Sequence, residues 1–491
     1  MEENTHIIQT NASKKNVITS LLWKFLERGG VQGIQFVLQI ILARILSPED
    51  YGVLAILMAF IAIANVFVQS GLNTALIQKR DVDEIDFSSV FWLSLFISIL
   101  LYIFLFFFAP IIAKFYHKDI LVPVLRVLAI TLFFGALNSV QNAMVSKTMQ
   151  FKRFFFSSTF GVLGSGIVGI FCAKLGFGVW ALVIQQLTSN FLISIILWFT
   201  VKWRPKFVFS IKKVRCLFSF GWKLLCSTIL ETAYNQIYNL IVGKTFSDID
   251  LGYFSRGEQF PATIANNLNG SIQSVMLPTL SSHNDNYEEM KRITRRSIEV
   301  SSFVLWPCMM GLAAISKPLV QILLTDKWLP CVPYLQLACL SFALYPIHTA
   351  NLTAINAMGR SDLFLKLEII KKIVGCLVIV VTLPFGLTVM AIGRVVSGVT
   401  ATFINAFPNK KILGYSYVEQ VKDILPSMCL SFIMAIVVYR IDFLPMKPIS
   451  ILLIQVVSGV IIYVMLAKLF KLEIYQYFIV TIKEFRIKGR N

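Results

Sequence analysis

The chain has 491 residues, 56% of them hydrophobic and only 14% charged, with a mean hydropathy of +0.73. A soluble domain carries roughly 45–50% apolar and about 25% charged residues, so this composition leaves too little polar surface to face water and argues against an ordinary soluble enzyme. The net charge of +19 does not make a nucleic-acid binder, because the Lys and Arg lie in short clusters between long apolar runs and not on a folded basic face.

A membrane-crossing helix needs about 20 apolar residues. The first fifteen residues are polar and lack the apolar core of a cleaved signal, so the first long helix is expected to act as the membrane signal. On the length rule, helices are expected near 17–46, 51–77, 87–113, 120–145, 154–174, 178–201 and 216–245. They continue near 253–281, 297–324, 331–357, 366–384, 387–408, 421–440 and 448–469, which makes about fourteen spans in an all-α polytopic membrane protein. Loop charges give the orientation. With the N-terminus in the cytoplasm, about thirty of the 45 Lys and Arg fall on inside segments, six of them between Lys202 and Arg215. Outside segments hold about nine, among them Arg44, Lys118, Lys244 and Lys317. Both termini are then cytoplasmic.

The first span and its exit read Trp23-Lys24 … Ser47-Pro48-Glu49-Asp50-Tyr51-Gly52; the seventh reads Trp222-Lys223 … Ser247-Asp248-Ile249-Asp250-Leu251-Gly252. The recurrence of both motifs about 200 residues apart points to a duplicated six-helix unit, and an even number of helices gives a parallel repeat about an axis along the membrane normal. The expected division is an N-terminal lobe over 1–201, a cytoplasmic linker over 202–215, a C-terminal lobe over 216–408, and two further helices with a cytoplasmic tail over 409–491.

Ionisable side chains inside spans cost at least a few kcal/mol and tend to face a cavity or a partner. The spans contain Lys24, Glu27, Arg28, Arg126, Lys223, Glu231, Arg256, Glu258 and Arg394, of which six are cations. If spans 1, 2, 7 and 8 line a central cleft, that cleft favours an anion. Lys24 and Arg28 are an i,i+4 pair on one face, as a phosphate-binding stripe requires; snorkelling to the interface is the alternative for them and for Lys223. Arg126 and Arg394 read as interfacial, and Arg256 with Glu258 as a structural ion pair. Spans 7 and 8 also carry a polar flank that includes Tyr234, Asn235, Tyr238 and Asn239, then Gln259, Asn266, Asn267 and Gln273. Interhelical hydrogen bonds would explain a few such residues; this density suits a hydrated cleft that meets sugar hydroxyls. Pro261, Pro278 and Pro307 would bend their helices.

The eight cysteines stand singly, the four histidines are scattered, and no GxxxxGK[ST] phosphate loop occurs, so no metal site, disulfide framework or ATP site is indicated. Gly161-x-x-Gly164-Ser165-Gly166 reads as close helix packing. No loop is long enough for a catalytic domain.

Three blocks carry a family resemblance: LLWKFLERGGVQGIQFVLQIILARILSPEDYG (21–52), LGYFSRGEQFPATIANNLNGSIQSVMLPTLS (251–281) and INAMGRSDLFLKLEIIKK (355–372). The first resembles the opening signature of the bacterial polysaccharide-transporter branch of the multidrug/oligosaccharidyl-lipid/polysaccharide exporter superfamily, the Wzx-type flippases and their WzxC-like group. The second is similar to that group's eighth helix, with its Gly-Tyr-x-x-Arg opening. The resemblance implies two six-helix lobes in a V around a central cavity plus two C-terminal helices, in the bacterial cytoplasmic membrane. It implies that an undecaprenyl-diphosphate-linked oligosaccharide moves to the outer leaflet by alternating access, with no cofactor. By that carry-over Lys24, Arg28, Lys223 and Arg256 meet the diphosphate, the flank of spans 7 and 8 meets the glycan, and Glu231 is a carboxylate for coupling to a proton or sodium gradient. Membrane lipids, a polysaccharide polymerase and other assembly proteins are the implied partners. A multidrug exporter of the same superfamily, a peptidoglycan-precursor flippase and a non-transporting scaffold are the alternatives.

Overall fold

The computed structural model describes residue 23 and residues 27–69, 72–79, 82–283, 286–477 and 480. Among these, every regular element is a helix. After a π-helical turn at Glu27–Val31 come α1 (Gln32–Ile45), α2 (Pro48–Gln69), α3 (Leu72–Gln78), α4 (Glu84–Tyr116), α5 (Leu121–Leu128), α6 (Thr131–Lys147), α7 (Phe151–Lys174), α8 (Val179–Thr200) and α9 (Ile211–Thr245). Then follow α10 (Asp248–Ser281), α11 (Tyr287–Ala314), α12 (Ser316–Leu324), α13 (Val332–Phe342), α14 (Tyr345–Ala357), α15 (Ser361–Thr382), α16 (Leu387–Ile412), α17 (Tyr417–Arg440) and α18 (Pro448–Leu469).

The chain is an all-helical polytopic membrane protein. Among the described residues, ten helical stretches are long and apolar enough to cross a membrane, three of them interrupted: Leu121–Lys147, Asp326–Ala357 and Tyr417–Phe443. The other four expected spans also fall on helices. Near 17–46 the described apolar helix, Gly29–Ile45, is short. At the seventh, eighth and eleventh expected spans, α9, α10 and α15 have 35, 34 and 22 residues, and they miss the standard through polarity, not length.

Packing divides the chain at Gly252/Tyr253 into two compact units. In the first, α4 shows how sequence selects solvent. Phe96, Ile99, Leu100, Ile103, Phe107 and Ile111 follow the 3.6-residue period along one exposed face, while Ser94, Ser98, Leu105 and Ala109 are buried on the other. A lipid-facing stripe with a small-residue packing face is the expected outcome. At the α7/α8 contact and beside α1, a Cβ on Gly161 would lie 2.5 Å from Ile193 Cγ1 and one on Gly166 2.4 Å from Leu38 Cδ1, so the glycine run is a close-packing face.

A capping box opens α4: the Asp86 N–H donates to Asp83 Oδ1 at 2.8 Å and the Asp83 N–H to Asp86 Oδ2 at 3.1 Å. Lys79 pairs with the buried Asp86 at 2.6 Å. The basic stretch after α8 straps itself across the same helix start. The backbone N–H groups of Lys206 and Ser210 donate to Ser88 and Ser89 Oγ at 3.1 and 3.0 Å, Trp92 Nε1–H donates to the Lys206 carbonyl at 2.8 Å, and Lys213 pairs with Asp83. With this strap in place α9 packs against α2, α3 and α4. The helix that opens the second sequence repeat therefore packs within the first unit.

In the second unit α11 packs along α17, and α18 covers α17 and α12. A fully buried amide triad ties α14, α16 and α17 together: Asn409 Nδ2 donates to Asn351 Oδ1, Asn351 Nδ2 to Gln420 Oε1 at 2.7 Å, and Gln420 Nε2 back to Asn351 Oδ1 at 3.0 Å. Amides without partners would be costly away from water, and here each finds a partner within the triad, with Asn409 Oδ1 alone left over.

Candidate functional site

The helices that carry the predicted site, α9 and α10, meet at the second copy of the repeated turn. Ser47 N–H and Oγ–H donate to Asp50 Oδ2 at 2.9 and 2.7 Å, and the Asp50 N–H returns to Ser47 Oγ at 3.2 Å. The second copy repeats the geometry, with Ser247 donating to Asp250 Oδ2 at 3.3 and 2.6 Å and the Asp250 N–H to Ser247 Oγ at 3.1 Å. Each is a reciprocal cap at a helix start. The two turns also touch. A Cβ on Gly52 would sit 1.9 Å from the Asp248 carbonyl oxygen, and a Cβ on Gly252 2.0 Å from that of Pro48. Only glycine permits either approach, and the exchange of partners is the mark of a local two-fold contact. Around it Lys118 pairs with Asp248, Lys244 donates to the Phe115 carbonyl, and Tyr116 donates to the Leu240 carbonyl at 3.2 Å.

Of the four cations expected to meet a diphosphate, Lys24 lies outside the described residues, as do the side chains of Arg28, in the π-helical turn, and of Lys223, on α9. Arg256 is 4% exposed; it donates to Gln259 Oε1, and its guanidinium lies 5.9 Å from the Trp328 ring centroid. Gly257 draws this turn of α10 close to the next segment, since a Cβ there would lie 2.8 Å from the Cys331 carbonyl oxygen. The expected Arg256–Glu258 pair gives way to Glu258–Arg394, a bidentate contact with side chains about a quarter exposed. Arg394 is thus an ion-pair partner inside the second unit. Arg126 stacks over the Phe106 ring at 4.0 Å and donates to the Phe106 carbonyl at 3.2 Å.

On α9, Glu231 and Asn235 are exposed, Tyr234 and Asn239 are half-buried, and Tyr238 is buried. Asn239 Nδ2 donates to Gln236 Oε1 at 2.9 Å. On α10, Gln259, Asn266, Asn267 and Gln273 are all exposed. Thr263 and Asn267 each bond back to the carbonyl four residues earlier at 2.8 Å, and Asn269 accepts from Thr349. A helix of 34 residues is about 50 Å long, longer than the roughly 30 Å hydrocarbon layer. Exposed amides along such a helix are unfavourable against lipid and favourable against water or a polyhydroxylated ligand.

Two polar groups in the second unit escaped the sequence reading. Glu368 on α15 pairs with Lys371 at 2.5 Å and Lys372 at 3.1 Å, side chains 12–21% exposed. The i+3 and i+4 spacing of Lys371 and Lys372 from Glu368 is the signal the sequence carries. His348 meets Asn405 Nδ2 at 3.1 Å. Among the described residues no group of three His, Cys, Asp or Glu could hold a metal ion.

Comparison with known proteins follows the same lines. Residues 41–333, more than half the chain, match the model of a family described as polysaccharide biosynthesis protein. The chain is 26% identical over 327 residues to the succinoglycan biosynthesis transport protein ExoT of Rhizobium meliloti (strain 1021), covering 67% of this chain and 66%, just under two thirds, of that one. It is 21% identical over 442 residues to the lipopolysaccharide biosynthesis protein WzxC of Escherichia coli (strain K12), covering 86% and 88%. Among solved structures, the lipid II flippase MurJ in an inward closed conformation superposes with a TM-score of 0.73 at 18% identity, over 92% of this chain and 98% of that one. An inward-facing multidrug resistance MATE family transporter of the MOP superfamily gives 0.62 at 16% identity, over 78% and 94%. These two likenesses describe the fold.

Proposed function

Because the chain belongs to the polysaccharide biosynthesis protein family, we propose that it is a flippase that carries undecaprenyl-diphosphate-linked oligosaccharide from the cytoplasmic to the outer leaflet for surface polysaccharide assembly. The observation that carries the reading is the exposed amide stripe Gln259, Asn266, Asn267 and Gln273 on a helix otherwise placed among apolar spans. A diphosphate and several sugars cannot cross about 30 Å of hydrocarbon unaided. A wall of amides substitutes for water around the sugars while the polyprenyl chain stays in lipid. No bond of the substrate changes, so the task is transport and not catalysis.

The remaining assignments belong to the same proposal. Fourteen spans place both termini in the cytoplasm of a bacterial cell and the protein in its cytoplasmic membrane. Two six-helix lobes, 1–201 and 216–408, joined by 202–215 and followed by the 409–491 helices, alternate access to the path. Lys24, Arg28, Lys223 and Arg256 neutralise the diphosphate, and Glu231 couples transport to a proton or sodium gradient. A polymerase and other assembly proteins receive the product.

The test is depletion. Cells that lose this protein are expected to accumulate one completed lipid-linked repeat unit in the cytoplasmic leaflet and to lose surface polysaccharide. Unchanged lipid-linked glycans together with new sensitivity to cationic dyes would favour a multidrug exporter and end the flippase reading.

A further inference from the structure

A cavity of about 910 Å³ lies wholly within the second unit, between the last turns of α10, the first half of α11 and Tyr477. It is within the size range of small-molecule sites, and none of the residues assigned above lines it. Its body is apolar, with Ile272, Val275 and Met276 from α10 facing Ile293 and Val300 from α11. Arg292, Arg295 and Arg296 form its charged edge. At i, i+3 and i+4 they share one face of α11.

Each guanidinium is braced. Arg292 pairs with Glu289 at 2.7 Å, Arg295 with Asp423 at 2.6 Å, and Arg296 with Glu299 at 3.2 Å, while Arg296 also lies 3.8 Å from the Tyr477 ring centroid. An arginine fork has five N–H donors. The braces use one or two of them and fix the orientation of the rest. Three carboxylates, Glu289, Glu299 and Asp423, match the three cations, so the edge is near neutral, and what it offers an anion is the oriented N–H donors that the braces leave unused. A free sugar would find few polar partners on the body, and an uncharged hydrocarbon chain would leave the forks unused. The combination fits an amphiphile with an anionic phosphate head and an apolar chain, because phosphate accepts bidentately from arginine.

The cavity lies beside the last turns of α10 and the first turns of α11, on the basic side that the proposed orientation assigns to the cytoplasm. Its α10 wall begins at Ser271, two residues before Gln273 of the amide stripe. We propose that this cavity is an entry dock that holds the phosphorylated end of the polyprenyl-linked substrate before the glycan meets the amide wall. The proposal rests on the flippase reading and adds to it a site distinct from the Lys24, Arg28, Lys223 and Arg256 set.

The test uses the full-length protein in phosphatidylcholine nanodiscs, with labelled undecaprenyl phosphate as the probe and undecaprenyl diphosphate or phosphatidylglycerol as competitor. Undecaprenyl diphosphate is expected to displace the probe at much lower concentration than phosphatidylglycerol. The charge variant Arg292→Gln/Arg296→Gln is expected to weaken binding about tenfold or more. The filling variant Val275→Trp, which leaves every charge in place, is expected to weaken it as well; size-exclusion profiles check that both variants fold. Wild-type affinity in both variants would overturn the dock, and so would equal competition by phosphatidylglycerol, which marks a general anionic-lipid contact. Wild-type binding in both variants beside glycan accumulation on depletion would remove the dock and leave the flippase; normal lipid-linked glycans on depletion would remove the flippase whatever the binding.

Discussion

Asp83 does two things at once: it caps α4 by accepting from the Asp86 N–H, and it pairs with Lys213 in the first turn of α9. Partial burial pushes its carboxyl up, but Lys213 and the Asp86 N–H outweigh that and hold it below its ordinary value. Replacement by Ala should cost about 1 kcal/mol, the usual worth of an N-cap. The sign of the pH dependence follows from the depressed pKa. The stabilisation is complete above the ordinary carboxylate value, about 3.9, and is lost as pH falls through the folded-state value. Thermal unfolding of detergent-purified wild type and Asp83→Ala should therefore differ at pH 7 and converge towards pH 3; a gap that persisted in acid would assign the effect to packing. The Ser-x-x-Asp caps at 47 and 247 were legible as local spacing. Glu258 and Arg394 were not, because 136 residues separate the partners and no local pattern joins them.

At the scale of the helix, hydropathy and period identified nearly every element. The three long helices that are too polar to qualify as spans, α9, α10 and α15, coincide with expected spans because their apolar residues still recur with helical spacing. What the sequence could not show was which polar residues turn inward. Asn351, Asn409 and Gln420 are fully buried and bonded to one another, whereas Asn266, Asn267 and Gln273 remain exposed. Both sets are amides on helices, and only tertiary contact separates the structural set from the candidate site. The distinction gives a prediction. Asn266→Leu/Gln273→Leu should leave protein abundance within experimental scatter of wild type and sharply reduce surface polysaccharide, because no packed amide is removed. Asn351→Leu should instead lower abundance, since it strands Gln420 and Asn409 as buried polar groups. Equal loss of abundance in both would show that the exposed stripe is structural.

At the scale of the whole chain, the charge asymmetry of the loops sets an orientation that labelling can check. In a cysteine-free background, a cysteine at Phe207, on the strap and almost fully exposed, should react with a membrane-impermeant maleimide only after permeabilisation. A cysteine at Asp119, in the short turn between α4 and α5, should react in intact cells. The reverse pattern would invert the topology and with it the direction of transport. The repeated turn was legible from two short motifs about 200 residues apart, but the contact between its copies was not, since nothing in either copy announces that it will meet the other. The reciprocal glycines give that contact a consequence for drift. Each copy of the turn is at once a mould and its casting: Gly52 leaves room for the backbone at Asp248, and Gly252 leaves room for the backbone at Pro48. A side chain gained in one copy cannot be accommodated by losing one in the other, because the obstacle is main chain and the counterpart has no side chain to give up. Side chains elsewhere on the two turns can change one at a time, while these two positions are held to glycine together.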